Sequence, residues 1–284
     1  MVAKGLITES KYQLVPDVSI ILINFNTAAL TLACLESVYH YTANIHFEVI
    51  LVDNASTECD PIVFKDRFPG IKLIQNNENS GFARGNNIGI RHASGRYVLL
   101  LNSDMELKSN AIYESYIFLE TMPSAGVCSI RLIYPDGRHQ SVAQRFPSIR
   151  YRLVEFLRIQ KLLGGEAGGR LLLGSFFNHH ETVKADWVWG AFFMFRHSIL
   201  GSLPNQKLNE EYFMYGEDMQ WCFDFSKRGW EIWFLGNVEA LHHMGGSAGN
   251  KSLLMKEGIE HFYRKNYRWH QRSCIRFVDK LLKL

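Results

Sequence analysis

Apolar runs of strand length, each closing abruptly on polar residues, set the rhythm of the N-terminal part of the chain. Val18–Asn24 (VSIILIN) reads as a buried strand, and the stretch from Thr27 to about Tyr41 carries apolar residues at helical spacing, with Thr27 placed to cap it. Phe47–Val52 is a second strand ending at Asp53 and Asn54, and Ile71–Ile74 is a short third one. Asn79–Asn87 then leads into a helix continued by Ile88–His92, and a fourth strand starts at Tyr97 and runs into Asn102, Ser103 and Asp104. Strands alternating with helices at this pitch predict right-handed βαβ units. The expected fold class is α/β, with a mostly parallel, doubly wound sheet covered on both faces over roughly the first 105 residues.

Beyond that point the rhythm changes. Ala125–Ile133 is strand-like and Tyr134–Gly137 (YPDG) is a turn, whereas residues 145–185 read as an irregular, basic, mobile or substrate-facing insert with glycine pairs at 164–165 and 168–169. Inside it, Arg150–Leu163 has helical character, suited to a surface helix or, more simply, to one docked on the main core. Trp187–Phe195 is densely apolar, and Met219–Arg228 is a helix-like run that follows Glu217 and Asp218 and stops at Gly229.

With 284 residues, 47% hydrophobic and 21% charged, the chain is an ordinary globular protein with material for one large core or two small ones. Its five cysteines (34, 59, 128, 222 and 274) are scattered and form no CxxC pair, which points away from a disulfide framework or structural zinc and toward a reducing cytoplasm. The opening residues lack the apolar core of a signal peptide, and no apolar run is long enough to span a bilayer. A formal charge of +3 gives no reason to expect nucleic acid.

Several polar stations close these apolar runs. Asp104 ends a strand where α/β sheets gather ligands and suits a hard cation carrying phosphate oxygens, although Ser and Asp also favour a plain turn and cap. Asp53 is placed to accept hydrogen bonds from a base or ribose. Gly81 and Gly85 would let the backbone approach a ligand, yet Asn79–Asn87 is neither GxGxxG nor a P-loop. Glu217 and Asp218 sit near a helix N-terminus, where acids balance the dipole without doing chemistry; the aromatic neighbourhood would instead raise a carboxylate toward general-base range. His242 and His243 precede Gly245 and Gly246, and adjacent histidines rarely reach one ion together.

Taken in order, Ile20–Asn26 (ILINFN), Val52–Ser56 (VDNAS), Asn79–Asn87 (NSGFARGNN), Leu101–Asp104 (LNSD), Trp189–Ala191 (WGA), Gly216–Asp218 (GED) and His242–Ser247 (HHMGGS) resemble the family-two, GT-A-fold inverting glycosyltransferases. The likeness is greatest to their bacterial and archaeal rhamnosyltransferase-like branch. It implies a GT-A fold, Rossmann-like, with a mostly parallel mixed sheet, helices on both faces and a C-terminal helical extension. The implied division is an N-terminal extension (1–16), a glycosyltransferase domain (17–250) and a basic amphipathic C-terminal segment (251–284). Within the domain, 17–105 would bind the nucleotide and 106–250, including the 145–185 insert, the acceptor.

The resemblance also implies roles. Asn24, Asn26, Thr27 and Asp53 would form the nucleoside pocket, and Arg84, Asn86 and Asn87 the donor side. Asp104, in a motif with Asn102 and Ser103, would hold Mg²⁺ or Mn²⁺ against the diphosphate, with His242 completing metal or phosphate binding. Asp218 would be the base and Glu217 the next candidate, while Trp189 and Gly190 close over donor sugar and acceptor. The implied partners are a nucleoside-diphosphate sugar, dTDP-rhamnose before UDP-sugars, and a glycan or lipid-linked acceptor.

Two features depart from the family. Asn102 stands where the usual Asp-x-Asp motif has its first acid, removing one charge from the metal site. The Gln-x-x-Arg-Trp signature and membrane helices of processive synthases are absent, which implies one sugar per encounter. Arg264, Arg268, Arg272, Arg276 and Lys280 recur every four residues beside Trp269, Phe277, Val278, Leu281 and Leu282, a ridge for peripheral membrane contact or a solvated or dimer-forming face. Two alternatives stand beside the enzyme. A catalytically silent sugar-nucleotide or glycan-binding module would not need Asp218, and a nucleotidyltransferase would want a triphosphate loop that this sequence lacks.

Overall fold

The structure is a computed structural model that describes residues 15–244 and 251–282. Its elements, in chain order, are β1 (Val18–Asn24), α1 (Ala28–Tyr41), β2 (Phe47–Asp53), α2 (Ile62–Arg67), β3 (Lys72–Gln75), α3 (Gly81–Ile90), β4 (Tyr97–Asn102), β5 (Met105–Leu107), α4 (Ala111–Thr121) and β6 (Ala125–Ile133). There follow β7 (Ala143–Gln144), α5 (Ile149–Phe156), α6 (Ile159–Leu162), α7 (Gly165–Leu172), β8 (Val183–Ala185), β9 (Trp187–Val188), β10 (Phe192–Arg196), α8 (Glu217–Ser226), β11 (Glu231–His242), α9 (Lys251–Asn266) and α10 (Trp269–Leu282). The main sheet runs β3-β2-β1-β4-β10-β6-β11-β5, with β8 also paired to β11. Strands β3, β2, β1 and β4 are mutually parallel, and β10 enters antiparallel between β4 and β6.

Register carries the polar strand ends to one edge. Asn24 lies opposite Asp53 on β2, and Ile23 lies opposite Asn102 on β4. The short β5, which follows Asp104, pairs antiparallel with the end of β11, setting Met105 opposite His242. The strands are nearly continuous apolar runs because both faces are covered: Ile20, Ile21, Leu22, Val98, Leu99 and Leu100 are fully buried.

Gly81 and Gly85 admit the protein's own chain, not a ligand. A Cβ on Gly81, whose φ is +77°, would stand 2.4 Å from the Phe213 carbonyl oxygen, and one on Gly85 would stand 3.3 Å from Ile23. Residues 145–185 are ordered into α5, α6 and α7, which corrects the expectation of an irregular insert. The helix expected over Arg150–Leu163 breaks at Arg158, which is left-handed at φ +55°. Its first part has no buried residue and packs on α10, to which Arg152 is bridged through Asp279 at 2.7 Å, rather than on the main core. The cationic ridge is likewise not one helix, because helix stops at Asn266 and resumes at Trp269. That break leaves Arg264 on α9 and Arg268 in the link, and Arg276 is bridged to Glu260. Among the described residues no helix is long and apolar enough to cross a membrane. Gly245, Gly246, Ser247 and most of the N-terminal extension lie outside the described residues.

Two glycines of α7 test this packing. A Cβ on Gly168 would fall 2.1 Å from the Gln160 carbonyl oxygen, whereas one on Gly165 meets nothing within 4 Å. Gly168→Ala is expected to lose about 1–3 kcal/mol to overpacking. Gly165→Ala should be neutral or gain up to about 1 kcal/mol of helix propensity. Urea midpoints of the two variants check this.

Candidate active site

Seven chain segments contribute at the carboxyl edge of the sheet: the ends of β1, β2, β4 and β11, helix α3, residues 189–191 and the Glu217–Asp218 turn. At the end of β1, Asn24 is fully buried; its Nδ2 donates to Asp53 Oδ1 (2.8 Å) and Ser56 Oγ (2.9 Å), and its Oδ1 accepts from Thr27 Oγ1 (3.1 Å) and Thr31 Oγ1 (2.8 Å). Asp53 is 2% exposed, and its Oδ2 accepts from the Ser56 amide at 3.0 Å. Both side chains are therefore engaged with their own strand ends and the α1 start. Asn26, at φ +52°, is exposed and accepts from the Thr57 amide at 2.8 Å. Thr27 occupies the N-cap position of α1 but makes no capping bond; its hydroxyl joins Asn24 and reaches Ser103 Oγ at 3.1 Å, tying the β1 end to the β4 end.

On α3, Arg84 is exposed, whereas Asn86 and Asn87 are buried. Asn86 Nδ2 donates to the Phe82 carbonyl at 3.0 Å. Asn87 Nδ2 donates to the Leu208 carbonyl and to Glu210, and Asn87 Oδ1 accepts from the Leu208 amide. The Asn87 bonds tie α3 to the chain leading into α8, the Asn86 bond stays within α3, and of the three only Arg84 is exposed.

Asp104 and His242 come together. Asp104 Oδ1 lies 3.2 Å from His242 Nε2, and Asn102 Nδ2 lies 3.4 Å from the same nitrogen. His243 turns aside to Glu106 at 3.3 Å, so one histidine of the pair reaches the site. Across the cleft, the candidate base Asp218 accepts from the Gly190 amide at 3.1 Å and from the Met219 amide at 2.8 Å. The same short segment binds β4, because the Ala191 carbonyl accepts from the Asn102 amide at 2.9 Å. Trp189 is half-buried against the core. Burial pushes the Asp218 carboxyl up to about 6, against the opposing pull of the Met219 and Gly190 amides. Burial and then the Asp218 charge hold Glu217 well above the usual range, and its buried Oε2 has no hydrogen-bond partner.

Helix α9 supports this acidic turn from behind. A Cβ on Gly258 would stand 2.2 Å from the Tyr215 carbonyl oxygen, so the two backbones touch just before Glu217. Sequence reasoning missed Gly258 and Gln140, whose side chain holds His242; neither lies in a pattern that singles it out.

Residues 19–200 match the sequence model of Glycosyl transferase family 2. The chain belongs to that family. Its activity is accordingly glycosyl transfer, in glycan biosynthesis. Relatives include rhamnosyltransferase WbbL of Escherichia coli K12, 25% identical over 248 residues and 83% of each chain. The N-acetylglucosaminyl-diphospho-decaprenol L-rhamnosyltransferase of Mycobacterium tuberculosis is 24% identical over 225 residues, 71% of this chain and 68% of that protein. Among solved structures, the mannosyltransferase PcManGT from Pyrobaculum calidifontis, in complex with GDP-Man and Mn²⁺, superposes with a TM-score of 0.54 at 18% identity. That match covers 82% of this chain and 59% of the mannosyltransferase. S. aureus TarS 1-349 gives 0.55 at 15% identity, covering 88% and 72%. These likenesses show the GT-A fold; Asp218 and His242 lie beyond the family match.

Asp104 and His242 are of the donor types that could hold Mg²⁺ or Mn²⁺. A carboxylate and an imidazole converge beside the Asn102 side chain, whose Nδ2 lies 3.4 Å from His242 Nε2 and whose buried Oδ1 has no hydrogen-bond partner. No group of three or more His, Cys, Asp or Glu able to hold a metal occurs among the described residues. Such a cation would therefore take its remaining oxygens from substrate phosphate and water.

Glu217 offers a test of the electrostatics. Its folded pKa is raised, so its contribution to stability is full below 4.5 and is lost as pH rises through the folded value. Glu217→Gln is expected to remove that loss and to raise Tm at neutral pH. Thermal unfolding of both proteins across pH checks it.

Proposed function

We propose that this glycosyltransferase moves one rhamnose or similar hexose, with inversion, from a nucleoside diphosphate to a hydroxyl of a glycan or lipid-linked acceptor. The observation that carries the reading is the three-residue span Trp189–Ala191. It supports Asp218 through the Gly190 amide and the Asn102 strand end through the Ala191 carbonyl, so the candidate base and the strand end leading to the candidate cation-binding acid are held by one segment. Rhamnose is favoured because both named bacterial relatives are rhamnosyltransferases, and a lipid-linked acceptor because the mycobacterial one acts on a diphospho-decaprenol.

Asp218 takes the proton from the acceptor hydroxyl, whose oxygen forms a bond to the anomeric carbon as the bond to the nucleoside diphosphate breaks on the opposite face. The raised pKa of Asp218 gives it the driving force to hold that proton. Asp104 and His242 would hold a divalent cation, whose Lewis acidity stabilises charge gathering on the departing phosphate. Arg84, exposed at the α3 end of the cleft, is a further partner for that charge. The terminal helix α10 exposes Trp269 (72%), Phe277 (65%) and Leu281 (49%) beside Lys280, which suits peripheral contact with the cytoplasmic face of an anionic membrane.

Asp218→Asn is expected to lower kcat on the order of a hundredfold or more while donor KM stays within about twofold. In the wild type, activity should fall as pH drops through about 6, where Asp218 becomes protonated. Normal turnover in Asp218→Asn would overturn the assignment of the base. Asp104→Ala should instead abolish the metal-dependent thermal shift with dTDP or UDP. NMR of the product's anomeric proton reads the inversion directly.

A further inference from the structure

Gln140 lies in the chain between β6 and β7, is 1% exposed, and is anchored by its own amide, which donates to the Leu132 carbonyl at 2.8 Å. Its side chain grips one residue twice. Nε2 donates to the main-chain carbonyl of His242 at 2.9 Å, and Oε1 lies 2.7 Å from His242 Nδ1. A main-chain carbonyl only accepts, so the nitrogen end of the amide must face it and the oxygen end must face the ring. An amide oxygen also only accepts, so Nδ1 must carry a proton. The remaining ring nitrogen, Nε2, is the one directed at Asp104 Oδ1 (3.2 Å) and Asn102 Nδ2 (3.4 Å).

This bond opposes a local bias. A carboxylate beside a neutral imidazole favours the tautomer that donates to it, which here would put the proton on Nε2 and turn the lone pair away from the cleft. His243 cannot take over, because it is directed at Glu106. We infer that Gln140 is a positioning residue that locks His242 as the Nδ1–H tautomer and keeps the Nε2 lone pair aimed at a divalent cation beside Asp104. The inference rests on the reading of Asp104 and His242 as cation ligands. Gln140 itself touches neither substrate nor cation; it acts by orienting a ligand, as hydrogen-bond partners behind metal-bound histidines do elsewhere.

The tautomer is readable without metal. Long-range ¹⁵N–¹H NMR of histidine-labelled, metal-free protein, at a pH where the ring is neutral, should show His242 as Nδ1–H in the wild type. Gln140→Met, which fills the space without an acceptor, should show it as Nε2–H. Gln140→Glu, which keeps an acceptor for Nδ1, should restore the wild-type pattern and serves if the methionine variant fails to fold. Mn²⁺ affinity measured by titration in the presence of dTDP should fall about 10–100-fold in Gln140→Met and recover substantially in Gln140→Glu. An unchanged tautomer in Gln140→Met would overturn the proposal. So would unchanged Mn²⁺ affinity in that variant where Asp104→Ala abolishes binding. Equal Mn²⁺ affinity in wild type and Asp104→Ala would overturn the cation reading instead, while the NMR pattern would still report what Gln140 does to the ring.

Discussion

The hydrogen bond from the Gly190 amide to Asp218 is the constraint on which the rest of the cleft depends, because the next residue binds the opposite wall. Ala191 accepts from Asn102, so a span of two residues fixes the distance between the turn that carries the acids and the strand end that leads to Asp104. A Cβ on Gly190 would meet Phe82 (3.4 Å) and the Asp218 Cβ (3.5 Å) at ordinary contact distance, so the segment lies directly against both. Groups held this way need little reorganisation when charge develops between them, which is where a transferase gains most of its rate.

That tie would be of little use if the acidic turn could drift. Tyr215 and Gly216 both take positive φ, 69° and 91°, and a tyrosine in that region is held there only by its surroundings. Helix α9 supplies them along its length. Lys265 and His261 bridge Glu211, the His261 ring meets the Tyr212 ring edge-on at 4.8 Å, Gly258 touches Tyr215, and Asn266 donates to Gln220 at 2.7 Å. Phe262 then packs with Met219 in a small apolar cluster of its own. A segment that reads from sequence as a basic extension is thus a structural part of the cleft's far wall.

What was legible in the sequence follows from the range of the interactions involved. Buried strands announce themselves by continuous apolar runs, and their polar ends stand out, so β1, β2, β4 and β6 fall where the pattern puts them. Asp104 and His242 were legible as residues, but their meeting depends on the pairing of β5 with β11, which no local pattern encodes. Glycine pairs were misleading. They resemble loop signals, yet Gly168 and Gly169 sit inside α7 because Gln160 and Phe176 backbones pass within contact distance of them. The four-residue recurrence of cations was blind to a helix break at Tyr267 and Arg268 for the same reason: charge spacing says nothing about where the backbone turns.

Polar residues at strand ends serve two purposes that only an account of donors and acceptors separates. Asn54 is the clearest frame residue. Its Nδ2 donates to Asn79 and the Gly81 carbonyl, and its Oδ1 accepts from Asn76, Ser80 Oγ and the Ser80 amide, which locks the turn before α3. Asn24 and Asn87 are spent in the same way, on β2 and on the chain before α8. A ligand approaching any of these would have to break bonds that hold the cleft open. Other groups are not spent in this way: Asn102 Oδ1 and Glu217 Oε2 are buried without partners, and Arg84 is exposed. An unsatisfied buried oxygen costs about 1–3 kcal/mol, so Asn102 Oδ1 beside the Asp104–His242 pair and Glu217 Oε2 beside Asp218 are costs that the fold carries next to its candidate site residues.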